Sequence, residues 1–204
     1  MAGPVVVILA GGGARRMGGG DKCLLSVGGT PILRRILDRL ARPDRRVVLN
    51  VNGDPARFAG YGLPVVADGR PGRPQPLAGP LAGLLAGMRW AIAHAAADIV
   101  TVPGDTPFVP ADLVERLSAA RAGADIAVAA SAGRIHHTVA LWPVRLADDL
   151  ERALGAEGVR RVGAWARRYR TAAVDFACDP LDPFFNVNGP EDLAAADRLA
   201  ASTA

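Results

Sequence analysis

Short aliphatic runs alternate with helical patterns along the chain, and this alternation limits the possible folds more than any other feature of the sequence. Val5 to Leu9 is a continuous and mostly β-branched run, which is typical of a strand buried on both faces of a parallel sheet. Further strands are predicted at 47–51, 65–66, 99–102, 126–130, 138–142 and 172–176. Apolar residues at helical spacing predict helices from about 31, over 81–95, over 112–121, around 146–154, over 159–168 and from 190. We therefore expect an α/β fold in which helices cover both faces of a doubly wound, mostly parallel sheet.

The composition of the chain fits one cytoplasmic domain. Half of the 204 residues are hydrophobic, so the chain can bury a sizeable core, and no linker or internal repeat divides it. We therefore expect a single domain over residues 1–204. No apolar run approaches the ~18 residues needed to cross a bilayer, and the first residues lack the positive charge of a signal peptide. These features predict a cytoplasmic protein without a membrane partner.

The positive charge of the chain favours anionic partners. The formal net charge is +4 and the pI is about 9.8, which suits phosphorylated small molecules, nucleic acids or membrane surfaces. Nucleic acid is disfavoured because no block of five like charges occurs and only 5% of the residues are aromatic. Lys22 is the one lysine among 24 cationic residues. Either this position needs a compact ammonium group, or a single lysine has survived by chance.

A glycine-rich loop, Gly11 to Lys22, follows the first strand and is the strongest candidate for a phosphate site. Glycines let successive backbone N–H groups point at an anion, and the loop also contains Arg15 and Arg16. The Walker pattern is excluded because a cysteine follows Lys22, and the G-x-G-x-x-G pattern is excluded because Arg16 occupies its last position. The loop is therefore either a phosphate-binding loop of another kind or a flexible connection.

The two cysteines, Cys23 and Cys178, show neither metal-binding spacing nor a disulfide framework. Cys23 directly follows Lys22, so a lowered thiol pKa is conceivable. The favoured interpretation is a small buried hydrophobic side chain.

Asp105 and two asparagines are the remaining candidates for polar contacts with a ligand. Asp105 follows the strand predicted at 99–102, where a carboxylate facing phosphates is the expected magnesium ligand, although it could instead cap the next helix. Asn186 and Asn188 alternate, so they point to the same side of an extended segment. Their amides could bind a ligand or complete a metal shell, whereas the alternative is that Asn188 or Gly189 only caps the last helix.

Four segments together resemble the molybdenum cofactor guanylyltransferase family. The first is similar to the LAGG-x-x-x-RMG-x-DK signature of that family, and the others are similar to its GPLAG, C-D-T-P and N-V-N-T-P-E-D-L segments. In this chain they lie at Leu9 to Lys22, Gly79 to Gly83, Pro103 to Pro107 and Asn186 to Leu193. Their order and spacing hold over nearly the whole chain. The departures are an additional glycine-rich stretch at 18–20, Gly189 in place of threonine, and His136-His137 in place of His-Pro.

The resemblance implies a Rossmann-like nucleotidyltransferase fold and transfer of GMP from GTP to the phosphate of molybdopterin. Pyrophosphate would be released, with Mg²⁺ as the cofactor. The resemblance implies nucleotide contacts for Leu9, Ala10, Gly11, Lys22, Asn50, Asp68 and Asp105, catalytic roles for Arg16, Lys22 and Asp105, and metal binding for Asp105 and Asn188. Transient contact with proteins that deliver the cofactor or mature molybdoenzymes is a further expectation.

The pterin side of the site has four candidates, Asn186, Asn188, Arg160 and Arg161. The two arginines lie in the helix predicted over 159–168, and they could attract the pterin phosphate or belong to a solvated basic helix face. No role is predicted for His136-His137, because no acidic partner is found near this pair.

Two other classes of function remain open. A molybdopterin cytidylyltransferase, or another small-molecule or sugar nucleotidyltransferase, would share the fold and the metal site, but Ala10-Gly11-Gly12 and Gly79 to Gly83 favour guanine by resemblance. A non-enzymatic GTP-binding or cofactor-carrier protein would need no catalytic metal, so Asp105 argues against it.

Overall fold

The computed structural model describes residues 3–11, 20–69 and 79–202. Its strands are β1 (Val5–Leu9), β2 (Ser26–Val27), β3 (Thr30–Pro31), β4 (Val47–Asn50), β5 (Val65–Val66), β6 (Asp98–Pro103), β7 (Ile126–Ser131), β8 (Arg134–Pro143) and β9 (Thr171–Asp175). Its α-helices are α1 (Ile32–Leu40), α2 (Pro80–Ala93), α3 (Leu113–Ala120), α4 (Ala147–Gly155), α5 (Val162–Ala166) and α6 (Pro190–Ser202). Short 3-10 helices lie at Lys22–Leu24, Pro55–Tyr61 and Val144–Leu146. Within these ranges, every helix is too short or too polar to cross a membrane.

Seven of the strands form one sheet in the order β5-β4-β1-β6-β8-β7-β9. β1 pairs in parallel with β4 on one side and with β6 on the other, and β4 pairs in parallel with β5. β8 runs antiparallel to both of its neighbours, β6 and β7, whereas β7 and β9 are parallel. β2 and β3 pair separately as a small antiparallel hairpin. The predicted α/β class with a mostly parallel sheet is confirmed.

Helices cover both faces of the sheet because its central strand is apolar on both sides. Val6 and Ile8 of β1 pack on the face that carries α1, α3 and α6, while Val5 and Val7 pack on the face that carries α2, α4 and α5. All four side chains are fully buried. A strand buried on both faces needs a continuous apolar run, and the predicted doubly wound arrangement is confirmed.

The strand predicted at 138–142 is longer in the structure, because β8 begins at Arg134 and forms a hairpin with β7. Ala132 and Gly133 make the tight turn with positive φ angles of 47° and 72°, which match the twist of the flanking strands. The polar start of β8 lacks the apolar pattern of the other strands, and this is why the sequence did not predict it.

The pairing of β7 with β8 contains a bulge on the β8 side. Val128 faces Ala140, but the next residue of β7, Ala129, faces His136. Residues 137–139 of β8 are therefore left without opposite partners in β7. The bulge lies toward the edge of the sheet where β6 and β7 have their carboxyl ends.

The helix predicted over 159–168 is also different in the structure, where α5 covers only Val162–Ala166. Gly158 has a positive φ of 67°, and Arg161 is extended, so the backbone becomes helical only at the following residue. Arg160 and Arg161 consequently lie in the connection before α5 and not on a basic helix face.

Candidate active site

A cavity of about 320 Å³ lies beyond the carboxyl ends of β4, β1 and β6. The chain goes from β1 to β4 on one side and later returns to β6 on the other, so the strand order reverses between β1 and β6. Such a reversal leaves a crevice between the loops, where ligands bind in open α/β sheets. The residues that line the cavity are Leu9, Ala10, Gly11, Lys22, Cys23, Asn50, Asn52, Asp68, Gly79, Pro80, Pro103, Gly104, Asp105, Thr138 and Asn186.

Two asparagines and one aspartate form one end of the cavity. Asn50 ends β4 and is only 3% exposed, and its Nδ2 donates to Asp68 Oδ1 at 2.8 Å. Asn52 Nδ2 donates to the other carboxylate oxygen of Asp68 at 2.7 Å, and its Oδ1 accepts from the Asp68 backbone N–H at 3.1 Å. The amides thus fix the carboxylate, while each oxygen keeps further acceptor capacity for a ligand.

Glycines of α2 let that helix come close to this end of the cavity. A Cβ at Gly83 would lie 2.1 Å from Asn50 Oδ1 and 2.9 Å from Leu9 Cδ2. One turn later, a Cβ at Gly87 would lie 2.7 Å from a methyl group of Val7. An alanine at either position would therefore force a neighbouring side chain to shift, and Gly83 in particular leaves room for the Asn50 side chain.

Lys22 and Asp105 form the opposite end of the cavity. Lys22 Nζ donates to Asn188 Oδ1 at 2.6 Å and lies 3.6 Å from Asp105 Oδ2. Asn186 Nδ2 donates to Asp105 Oδ1 at 2.8 Å. The Lys22 and Asp105 side chains are 18% and 19% exposed, so solvent screens their attraction only in part. Asp105 is not a helix cap, because the next α-helix begins after Asp112.

The side chain of Asp192, in the first turn of α6, binds the backbone N–H groups just before this helix, and the Asn188 side chain does not cap it. Asp192 Oδ2 accepts from the N–H groups of Asn188 and Gly189 at 2.9 Å and 3.0 Å. The Asn188 amide oxygen is therefore available to Lys22. Gly189 takes the capping position, because its carbonyl accepts from the Leu193 N–H at 3.0 Å, and ligand or metal binding by Asn188 stays a prediction.

Asp105 and Asn188 present the oxygen ligands that Mg²⁺ and similar divalent metals prefer. Both contact the same ammonium group, that of Lys22, so their oxygens converge on one region of the site. In the part of the chain that the structure describes, no three acidic, histidine or cysteine side chains gather into a metal-binding group. A metal held here would draw its further ligands from substrate phosphates and water, as Mg²⁺ commonly does.

An ion pair that sequence reasoning missed fixes the end of the glycine-rich loop. Arg57 Nε lies 2.6 Å from Asp21 Oδ2, and Arg57 Nη2 donates to Asp21 Oδ1 at 3.1 Å. Arg57 Nη2 also donates to the Asn52 carbonyl at 3.1 Å. The arginine thus ties the residue before Lys22 to the segment that follows β4. Spacing could not reveal this pair, because its members lie on separate elements.

Cys23 is a buried hydrophobic side chain and not a reactive thiol. It is 2% exposed, and burial, followed by the nearby Asp21 carboxylate, raises its pKa to about 12. The thiol therefore stays protonated at neutral pH, and the lowered pKa that its position after Lys22 suggested is wrong.

The structure places most of the predicted site residues around the cavity. Leu9, Ala10, Gly11, Lys22, Asn50, Asp68, Asp105 and Asn186 line it, and Asn188 joins them through Lys22. Arg16 lies outside the described residues, as do Gly12 and the loop at 70–78. Arg160 and Arg161 are exposed and are not among the described residues that line the cavity. Arg160 Nη1 instead donates to the carbonyls of Leu154 and Val159 at 2.9 Å and 3.0 Å.

Two polar lining residues, Asn52 and Thr138, were not predicted. Asn52 alternates with Asn50 in the same way that Asn188 alternates with Asn186, so the same signal could have found it. Thr138 reaches the cavity from the bulge of β8, which no sequence pattern marks.

The adjacent histidines lie on opposite faces of β8. His136 packs against the Phe184 ring at a centroid distance of 4.9 Å, whereas His137 lies against a glycine of α5. The expectation that no acid lies near them is wrong for His136. Its Nε2 lies 2.7 Å from Ser131 Oγ, and that hydroxyl donates to Asp182 Oδ1 at 2.8 Å. This acid is distant in sequence and becomes a neighbour only through the fold.

Known proteins resemble the chain in both sequence and fold. The family described as MobA-like NTP transferase domain matches residues 6–172. A protein of Rhodopseudomonas palustris (strain BisB5) named molybdenum cofactor guanylyltransferase is 54% identical over 187 residues, which cover 90% of this chain and 87% of that protein.

Two solved structures, both under 25% identical, share the fold. Molybdopterin-guanine dinucleotide biosynthesis protein A from Archaeoglobus fulgidus has a TM-score of 0.72 at 23% identity, covering 97% of this chain and 98% of that chain. The 2-C-methyl-D-erythritol 4-phosphate cytidylyltransferase from Thermus thermophilus has a TM-score of 0.70 at 21% identity, covering 98% of this chain and 99% of that chain. At these identities the likeness concerns the fold and leaves the base unspecified.

Proposed function

The chain belongs to the molybdenum cofactor guanylyltransferases, within the MobA-like NTP transferase domain family, and from this membership we propose how its own residues carry out the reaction. It is a nucleotidyltransferase that transfers GMP in the synthesis of the dinucleotide form of the molybdenum cofactor. In this proposal GTP is the donor, the molybdopterin phosphate attacks, and pyrophosphate leaves. The observation that carries the proposal is one cavity joining the Asn50–Asp68 pair to Lys22 and Asp105.

The Asn50 end of the cavity is proposed to hold guanosine. Sheet pairing already uses the Leu9 carbonyl, which accepts from Gly104 N–H, and the Ala10 N–H, which donates to the Asn50 carbonyl, both at 2.9 Å. The backbone groups left for a base therefore begin at the Ala10 carbonyl and the Gly11 N–H, which have no backbone partner in the described part of the chain. Fixed backbone groups can select one base, because a mismatched base leaves buried polar groups unpaired.

The phosphates are proposed to lie between the glycine-rich loop and Lys22. The attacking phosphate is already anionic, so the reaction needs no general base. Catalysis must then come from alignment of the two substrates and from neutralising charge at the α-phosphate. Lys22 places a partly buried cation at this point. Arg16, by family resemblance, supplies a second cation from the loop.

A divalent metal, Mg²⁺ in this proposal, would be held by Asp105 and Asn188. When bound, such an ion supplies further charge neutralisation to the substrate phosphates. Asn186 keeps the Asp105 carboxylate oriented through its 2.8 Å hydrogen bond. The donor set supports this assignment, since it consists of oxygen atoms alone.

The acceptor is proposed to approach from the side of Asn186 and Asn188. Arg160 and Arg161 are exposed cations, and their attraction for the anionic pterin substrate stays a prediction. The expected contacts with cofactor-delivering or maturation proteins also stay predictions, as do the lack of a nucleic-acid or membrane partner and the single domain over residues 1–204. We propose that the enzyme acts in the cytoplasm, because the reaction consumes GTP.

Transfer of CMP to molybdopterin is the alternative activity, because a cytidylyltransferase shares the fold. The name of the 54% identical relative favours GMP transfer. The test is incubation of the purified protein with molybdopterin, Mg²⁺ and each nucleoside triphosphate in turn, with pyrophosphate release as the measurement. Release that requires both GTP and molybdopterin supports the proposal. If pyrophosphate is released from CTP but not from GTP, the base assignment is contradicted. If none of the nucleoside triphosphates gives pyrophosphate, the activity itself is contradicted.

A further inference from the structure

A polar chain of Ser131, His136 and Asp182 lies at the same edge of the sheet as the cavity, and the proposed reaction does not use it. His136 Nε2 lies 2.7 Å from Ser131 Oγ, which donates to Asp182 Oδ1 at 2.8 Å. Asp182 Oδ1 also accepts from the Phe184 backbone N–H at 2.9 Å, and the Phe184 ring packs against the imidazole. Ser131 is fully buried. These contacts hold the half-buried imidazole of His136 in one orientation.

The direction of the hydrogen bonds determines what His136 can do. The single hydroxyl proton of Ser131 goes to the Asp182 carboxylate, so His136 Nε2 carries a proton and donates it to Ser131 Oγ. A nucleophilic serine would require the opposite arrangement, in which the imidazole accepts the hydroxyl proton. The cluster is therefore not a hydrolytic triad.

The remaining nitrogen of the ring, Nδ1 of His136, is left as a hydrogen-bond acceptor. Burial lowers the pKa of His136 below its usual range, Asp182 acts in the opposite direction, and Arg134 and His137 add to the lowering. The ring is consequently neutral at pH 7, and Nδ1 keeps its lone pair. None of the residues that the structure describes donates a hydrogen bond to this atom.

The position of the cluster in the sheet puts it on the acceptor side of the cavity. The cavity follows the sheet edge from Asp68, after β5, to Asp105, after β6, and to Thr138 in β8. Ser131 ends β7, the next strand beyond β8, and β7 has its carboxyl end at the same edge as β6 because β8 is antiparallel to both. In the proposed function the nucleoside lies near Asp68 and the phosphates lie near Asp105. The acceptor then lies farther along the same edge, on the side toward His136.

The size of the cavity is consistent with a second binding surface outside its described lining. A volume of about 320 Å³ is at the low end of the roughly 300–1,000 Å³ that one small-molecule ligand occupies. The enzyme must hold a nucleoside triphosphate and a phosphorylated heterocycle together. This volume fits an acceptor whose body extends past the described lining residues.

We propose that His136 binds the heterocyclic part of the acceptor, with its Nδ1 accepting a hydrogen bond from a ring N–H. Ser131 and Asp182 fix the tautomer that leaves Nδ1 unprotonated, and Phe184 fixes the plane of the ring. The proposal rests on the proposed function, since it names a contact of the same site with its second substrate.

The test compares two variants of the cluster with a matched control. His136→Ala removes the acceptor atom, and Ser131→Ala removes the partner that fixes the ring while adding no bulk. His137→Ala is the control, because it deletes a neighbouring half-buried imidazole on the other face of β8. For each protein, KM is measured separately for molybdopterin and for GTP, and thermal melting with and without GTP checks the fold.

We expect His136→Ala to raise the KM for molybdopterin by about 5–10-fold, as the loss of one hydrogen bond implies. The KM for GTP should stay within about twofold, Ser131→Ala should show a smaller rise, and His137→Ala should show none. An unchanged acceptor KM in folded His136→Ala overturns the inference and leaves the proposed function intact. Equal rises in both KM values also overturn it, because they indicate a structural role. A wild-type protein that makes no product with GTP and molybdopterin overturns both proposals.

Discussion

Lys22 lies between an amide oxygen and a carboxylate, so its charge is positioned before any substrate enters. Lys22→Ala should lower kcat/KM for GTP by ~10²-fold or more, since a preorganised cation is lost where charge develops. The melting temperature should change little, because the side chain is at the rim of the cavity and not in the core. Steady-state pyrophosphate release and thermal melting check the two expectations. Turnover of the variant at the wild-type rate would contradict a catalytic role for Lys22.

Asp105 allows a substitution that preserves shape and removes charge. Asp105→Asn keeps an oxygen that can accept from Asn186 but weakens metal binding, so the rate should fall by ~10²–10⁴-fold. Raising Mg²⁺ or adding Mn²⁺ should restore part of the activity. Asp112→Asn is the matched control, because it neutralises an exposed carboxylate before α3. Full activity of Asp105→Asn at low Mg²⁺ would contradict the metal assignment.

At the residue scale, the sequence predicts side chains that follow strand ends but not the contacts that hold them. Lys22 was predicted as a site residue because it ends the glycine-rich loop after the first strand. Asp105 was predicted because it follows the strand at 99–102. The ion pair of Asp21 with Arg57 was not found, because only the fold brings its members together. Asn52 was missed although its alternation with a neighbouring asparagine was visible in the sequence.

At the scale of elements, two glycines of α2 allow an effect on GTP binding to be separated from an effect on stability. Gly83→Ala would force a methyl group against Asn50, whereas Gly87→Ala would force one against Val7 beneath the helix. Each change should lower the free energy of unfolding by about 1–3 kcal/mol through overpacking. Only Gly83→Ala should also raise the KM for GTP, since only that change displaces a side chain of the cavity. Denaturant unfolding and GTP titration measure the two effects.

The comparison of Gly83→Ala with Gly87→Ala tests whether Asn50 or general stability sets the KM for GTP. Gly155→Ala serves as the neutral control, because nothing lies within 4 Å of its added Cβ. An equal rise in the KM for GTP in Gly83→Ala and Gly87→Ala would show that general destabilisation, and not Asn50, sets the affinity.

The hairpin of β7 and β8 shows why some elements could not be predicted. A continuous apolar run marks a strand only where both of its faces are buried, and the start of β8 is polar and partly exposed. The register shift in this hairpin depends on pairing with β7, which a local pattern does not encode. Thr138 therefore enters the cavity without any signal in the sequence.

At the scale of the whole molecule, the sequence predicted the layers but not the order or direction of the strands. Continuous apolar runs are typical of strands covered on both faces, so the doubly wound class followed from Val5 to Leu9 and similar runs. Local periodicity does not state which strands are neighbours, so the antiparallel β8 was not predicted. This strand links β6 to β7 and so extends the functional edge of the sheet beyond Asp105.

The choice of base is a property of this edge as a whole, because β1, β4 and β5 each contribute to the end that is proposed to hold guanosine. Guanine presents a different donor and acceptor edge from cytosine, so backbone groups fixed for one leave polar atoms unpaired with the other. We expect kcat/KM for GTP to exceed that for CTP by at least ~10²-fold with molybdopterin as the acceptor. Competition between the two nucleotides at equal concentration measures this ratio directly.

Gly11→Ala should lower kcat/KM for GTP and bring the ratio of kcat/KM for GTP to that for CTP closer to one. A Cβ at Gly11 would lie 3.2 Å from Asn52 Nδ2, which donates to Asp68, so the methyl group would press on the amide that orients that carboxylate. It would also hold the backbone away from the edge of the base. Gly155→Ala again provides the control, with no change in the ratio expected. Equal use of both nucleotides by the wild-type protein, or a preference for CTP, would contradict selection of guanine by this backbone. The nucleotidyltransferase fold and the positions of Lys22 and Asp105 would still account for nucleotidyl transfer.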